Sequence, residues 1–127
     1  MAALPFSISL TLNLPADEGQ DPTPVQYNYS GTVGSVVRYK LDLTDAPSTQ
    51  VLDFGTIPLA GAKVVMVMLD AGQAVAPILV KVNAESVGEE VSAGGCKFFC
   101  SPQPTAGITG LSIDYTASCT VRVWILG

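Results

Sequence analysis

Apolar and polar residues alternate along most of this chain with a period of two. The clearest run is Phe6–Leu14, FSISLTLNL, where Phe6, Ile8, Leu10, Leu12 and Leu14 fall on one side and Ser7, Ser9, Thr11 and Asn13 on the other. Such alternation marks a strand with one buried face. The same period returns in Val25–Ser30, in Val37–Leu43 and near the end of the chain. There, Leu111, Ile113 and Tyr115 alternate with Ser112 and Asp114, and Val121, Val123 and Ile125 alternate with Arg122 and Trp124. The small polar residues Thr116–Ser118 lie between these two runs, so 107–127 reads as one β-hairpin.

The remaining segments are short and fit the same scheme. Val51–Phe54, Ile78–Val82, Val87–Val91 and Lys97–Cys100 read as strands, and Pro77 is tolerated at the first position of its strand. Lys63–Leu69, KVVMVML, is apolar on both faces and too short for a helix, which predicts a central sandwich strand. Twelve glycines and nine prolines fall mainly between the runs. They predict turns at Gly31–Gly34, Asp45–Ser48 and Asp70–Gln73, and loops at 15–24, 55–61 and 101–107. No stretch has a helical period. Short strands separated by turn signals predict an all-β chain, a single-domain β-sandwich over 1–127, jelly-roll in type. The segment 15–24 is then a surface loop, and 1–5 an N-terminal arm.

Composition adds a second expectation. The chain is 48% apolar and only 13% charged, about half the charged fraction of an ordinary soluble domain. A surface this poor in charge is expected to be covered by other chains. The longest apolar run, Val64–Leu69, has six residues, against roughly 20 for a membrane-spanning helix, so no membrane partner is expected. The six basic residues are scattered within a net charge of −5, which argues against direct nucleic-acid binding. The N-terminus has neither the basic nor the long apolar region of a secretory signal.

Candidate chemistry is sparse. There is no histidine, which removes the usual general base and the commonest metal ligand. Cys96 and Cys100 have an even offset and would share a strand face. With Cys119 they leave three readings: buried small hydrophobes, a three-thiolate metal site, or a disulfide involving Cys119. The first is favoured for a chain without a signal peptide. Asp17, Glu18 and Asp21 cluster in the acidic loop but lack EF-hand spacing. Glu89 and Glu90 are adjacent, so a strand would point them to opposite faces, which does not suit a paired-carboxylate site. No phosphate-binding glycine loop or nucleophile elbow occurs. The expectation is no catalytic, cofactor or metal site and no cofactor. The aromatic residues Tyr27, Tyr29, Tyr39, Tyr115 and Trp124 suit core or interface packing, or a sugar-stacking platform. Phe6, Tyr27, Tyr29 and Trp124 are the interface candidates, Trp124 because it is out of phase with the apolar residues around it.

From Lys63 onward the chain resembles small structural proteins of tailed-phage particles. The resemblance is carried by KVVMVML, by PILVKVN and by the ending ITGLSIDYTASCTVRVWILG. Within that ending, an Ile-x-Gly-Leu-x-Ile pattern precedes a small-residue turn and a Val-x-Val-x-x-Leu-Gly strand. It covers about half the chain and includes no diagnostic residue set. It implies a jelly roll or β-sandwich without catalytic residues, made in the host cytoplasm and placed in the virion, most simply on the capsid exterior. On this basis the chain is expected to be a capsid decoration, or cement, protein that bridges neighbouring capsid subunits. Its partners would be the major capsid protein or other virion proteins and further copies of itself, as a trimer or dimer. The alternatives are a tail, baseplate or fibre-adaptor component of the bacteriophage particle, and a carbohydrate-binding β-sandwich module.

Overall fold

A computed structural model describes residues 3–13, 24–44, 48–57, 61–70, 76–83, 85–100 and 107–127. The chain is all β, with ten strands and no helix among these residues. It divides into two compact units, 1–34 and 35–127.

The first unit is a two-stranded ribbon. Strands β1 (Leu4–Leu12) and β2 (Val25–Val33) pair antiparallel along their whole length, from Leu4 opposite Val33 to Leu12 opposite Val25. This register gathers the aliphatic and aromatic side chains on one face. Leu4, Phe6, Ile8, Leu10 and Leu12 lie opposite Val33, Gly31, Tyr29, Tyr27 and Val25. The other face holds Pro5, Ser7, Ser9 and Thr11 opposite Thr32, Ser30, Asn28 and Gln26, and there Ser9 Oγ donates to Asn28 Oδ1 at 2.9 Å. Two expectations are corrected here. Leu4 and Pro5 belong to β1 instead of a free arm, and β2 continues through the turn expected at Gly31–Gly34 as far as Val33. Gly31 stays in the ladder because it faces Phe6, and a Cβ on Gly31 would come within 3.4 Å of the Phe6 ring and 3.1 Å of the Tyr29 hydroxyl. The glycine leaves room for two aromatic rings and does not turn the chain. The loop expected at 15–24 falls, except for Pro24, outside the described residues.

The second unit is a β-sandwich. One sheet has the order β3 (Val36–Leu43), β10 (Cys119–Leu126), β5 (Val64–Leu69), β8 (Cys96–Cys100). The other has the order β4 (Ser48–Leu52), β9 (Leu111–Tyr115), β6 (Ile78–Val82), β7 (Glu89–Val91). All neighbours are antiparallel. Inward residues of the middle strands build the core: Val121, Val123 and Ile125 of β10, Val65, Val67 and Leu69 of β5, Leu111, Ile113 and Tyr115 of β9, and Ile78, Val80 and Val82 of β6. Most are β-branched, and these pack well on a pleated surface. As the apolar run Lys63–Leu69 implied, β5 is an interior strand, with Val65, Val67 and Leu69 in the core and Met66 and Met68 on the outer face.

The terminal hairpin is not formed. β9 and β10 lie in different sheets, and Thr116–Ser118 carries the chain across the sandwich. Each strand already has two ladder partners, β4 and β6 for β9, and β3 and β5 for β10. Alternation reports only that one face is buried. Side-by-side pairing and facing across two layers satisfy it equally. The same crossing occurs from β3 to β4, from β4 to β5, from β5 to β6, from β7 to β8 and from β8 to β9, and only β6 and β7 follow one another within a sheet.

Side-chain hydrogen bonds fix the loops that close the sandwich. Asn83, at a φ of 51°, accepts at Oδ1 from Thr109 N (2.8 Å), Thr109 Oγ1 (3.2 Å) and Gly110 N (3.1 Å). Asparagine tolerates this left-handed backbone better than most residues. Ala62 and Ile108 bond in both directions, and Gly61 beside them packs directly against the Gly107 backbone. Ser35 and Gly127 also bond in both directions, extending the β3–β10 ladder. At the β7–β8 end, Lys97 forms an ion pair with Glu89 and lies 4.8 Å from the centre of the Phe99 ring.

Candidate interaction surface

The residues singled out as interface candidates divide between the two units. Phe6, Tyr27 and Tyr29 come together on the apolar face of the ribbon. Tyr29 is opposite Ile8, Tyr27 opposite Leu10, and the rings of Phe6 and Tyr29 are tilted at 55° with centres 5.4 Å apart. Trp124 lies in the second unit, half-buried on the outer face of the β3-β10-β5-β8 sheet. It is flanked by Arg38 on β3 and Met66 on β5, and Met66 is in turn opposite Phe98. Trp124 thus points away from the core, as its phase implied.

The ribbon face is the more open of the two. Leu4, Leu10, Leu12, Val25 and Tyr27 are 42%, 44%, 58%, 54% and 40% exposed. Fully burying a side chain of this size stabilises by about 1.5–3 kcal/mol. At these exposures, roughly 4–7 kcal/mol of burial is left unrealised on one face. Neither ribbon strand contains a charged residue. Contiguous apolar faces of this kind mark contact sites. A two-stranded ribbon is also only marginally stable by itself in water.

The aliphatic residues Leu4, Leu10, Leu12 and Val25 belong to this surface as much as the aromatics do. Selection by aromatic side chains passed over them. The signal that finds them is the strict alternation of FSISLTLNL matched by Val25, Tyr27 and Tyr29, with no charge on either face.

The outer face of the β4-β9-β6-β7 sheet mixes polar residues, Thr49, Lys81, Ser112 and Asp114, with the exposed Val51 and Leu79. Lys81 Nζ lies 2.7 Å from Asp114 Oδ2, and Thr49 Oγ1 donates to Asp114 Oδ1 at 2.5 Å. The hydrogen bond from Lys81, then that from Thr49, holds the Asp114 carboxyl below its ordinary value. Glu89 and Glu90 are successive residues of β7, and successive strand side chains point to opposite faces.

Cys96 and Cys119 are free thiols. Cys96 and Cys100 share the outer face of β8, while Cys119 lies inward on β10 in the core. Burial raises the pKa of the Cys119 thiol. The disulfide reading for Cys119 fails because the sheet lies between it and the other two sulfurs. Among the described residues no three cysteine or carboxylate side chains gather as a metal site would require.

Comparison with protein-family models, with curated proteins and with solved structures found no match to the chain.

Proposed function

We propose that the protein is a non-enzymatic structural component of a bacteriophage virion, a capsid decoration protein on the outside of the shell. The observation that carries this reading is the apolar, uncharged face of the ribbon. An exposed apolar ribbon face suits a part whose work is to bury surface against neighbouring chains. The low charge and the resemblance of the C-terminal half to small tailed-phage structural proteins support it. So does the strand order, β3-β10-β5-β8 facing β4-β9-β6-β7, which we read as a jelly roll in which every connection from β3 to β10 crosses between the sheets except that from β6 to β7.

The mechanism is mechanical. Each copy buries surface across a junction between capsid subunits, and the opening of the shell must then break those contacts as well. Standard-size contacts remove roughly 1,200–2,000 Å2 each, and the symmetry of the shell multiplies them. The test is addition of the purified chain to shells that lack it. The expected result is binding at every symmetry-related junction and a higher shell-opening temperature. A chain that is missing from purified particles, or that leaves shell opening unchanged, contradicts the reading. Copies found at a single vertex or along the tail favour the tail or fibre-adaptor alternative instead.

A further inference from the structure

We infer that the apolar face of the β1–β2 ribbon is an interface between copies of this chain, buried about a symmetry axis against the same face of another copy. This names the first partner of the surface described above, and it rests on the reading of the protein as a shell component.

Three observations lead to a second copy as the occupant. The first is chemical. The chain carries a net charge of −5, and symmetric association brings each group near its own equivalent, so any charge on the contact repels itself. The two ribbon strands hold no charged residue on either face. The exposed residues of the face, Leu4, Leu10, Leu12, Val25 and Tyr27, can therefore meet their equivalents without electrostatic cost.

The second is extent. Two nine-residue strands form a ribbon about 30 Å long and about 10 Å wide. With the relief of its large side chains included, two such faces pressed together remove on the order of 1,000 Å2 of accessible surface in total. Three ribbons about one axis remove more. A specific interface needs about that area, so the face is large enough for a dimer and ample for a trimer.

The third is timing. A lone ribbon with an open apolar face is marginal in water. A decoration protein folds before it meets a shell, and at that stage a second copy is the partner always at hand. Packing ribbon on ribbon supplies the further strands and the hydrophobic cover that an independent β structure needs.

The experiment is native mass measurement of the purified full chain across a dilution series, with three variants. Leu10→Asp and Leu12→Asp place a carboxylate on the apolar face, and Ser9→Asp places one on the polar face. Fluorescence of Trp124, the single tryptophan, reports whether the sandwich of each variant remains folded. The wild-type chain is expected at two or three times 13.2 kDa. Leu10→Asp and Leu12→Asp are expected to weaken association at least about a hundredfold, through a buried unpaired charge, with the Trp124 signal intact. Ser9→Asp is expected to leave the mass unchanged. A wild-type monomer at micromolar concentration overturns the proposal, as does an oligomer that both apolar-face variants leave intact. A wild-type monomer that binds shells overturns it while the virion reading stands. A ribbon-dependent oligomer that never binds shells upholds the interface and removes the virion reading.

Discussion

Among the glycines of the described residues, Gly61 leaves the least room for a side chain. Its φ is +94°, and a Cβ built on it would lie 2.6 Å from Gly107 C, 2.7 Å from Gly107 Cα and 2.9 Å from Ile108 N. Gly61→Ala therefore meets two costs. One is a backbone conformation that residues with a Cβ rarely adopt. The other is overlap with main chain that cannot swing aside as a flexible side chain would. Relief requires the 107–108 segment to move, and that breaks the paired bonds Ala62 N to Ile108 O (2.7 Å) and Ile108 N to Ala62 O (3.3 Å). Together these cost about 3–5 kcal/mol, a large part of the 5–15 kcal/mol typical of a whole domain. Two other glycines separate the terms. Gly55→Ala sits at a φ of +55° with only Val37 Cγ2 nearby, at 3.6 Å, and is expected to cost about 1 kcal/mol. Gly110→Ala meets nothing closer than 4.0 Å and has no left-handed φ, so a change within about 0.5 kcal/mol is expected. The assay is equilibrium urea unfolding followed by Trp124 fluorescence. Gly61→Ala should lower the midpoint by about 2 M with an unchanged slope. A Gly61→Ala midpoint no lower than that of Gly55→Ala would refute the close approach of 61 to 107.

Other outcomes follow from the same geometry. Asn83→Ala removes the Oδ1 acceptor of Thr109 and Gly110 and leaves alanine at a φ of 51°, so thermal unfolding should show a loss of about 2–4 kcal/mol. Asn83→Asp keeps the acceptor and should recover much of it. The Asp114 carboxyl titrates below its ordinary 3.8 in the folded chain, through Lys81 and Thr49. The stability it adds is present above that pH and is lost as the pH falls through the lower folded value. Asp114→Asn should therefore flatten the acid limb of a stability-against-pH curve below about pH 4, and identical limbs in the two proteins would contradict the pairing. With a thiol reagent, exposed Cys96 should react at once and buried Cys119 only at the rate of unfolding; fast labelling of all three thiols would contradict the core position of Cys119.

Much of the fold was legible because period-two alternation is a local property. Ile78–Val82 runs from its proline-marked start to its end as the residues imply, and the alternation of 6–14 identifies β1 and its apolar face, although Leu10 and Leu12 on that face are exposed where a buried face was expected and Leu14 lies outside the described residues. Partner choice is not local. Leu111–Tyr115 and Val121–Ile125 carry the same pattern whether they pair or face one another across a core, and only the competing neighbours β4, β6, β3 and β5 decide. Gly31 misled for a related reason. A glycine in a strand can be a turn or a vacancy left for a facing ring, and Phe6, a full hairpin away, makes it the second. At the candidate surface the aromatics were legible and the aliphatic remainder was not, because nothing in β1 alone shows that its apolar face stays uncovered by a second layer of its own.

The measurement that bears most directly on the central claim is high-resolution imaging of purified particles. The account expects density for this chain at repeated positions on the outside of the shell, with Leu4, Leu10, Leu12, Val25 and Tyr27 of every ribbon covered by a neighbouring chain. Particles without the chain, or with those five side chains open to solvent in the assembled shell, would contradict it.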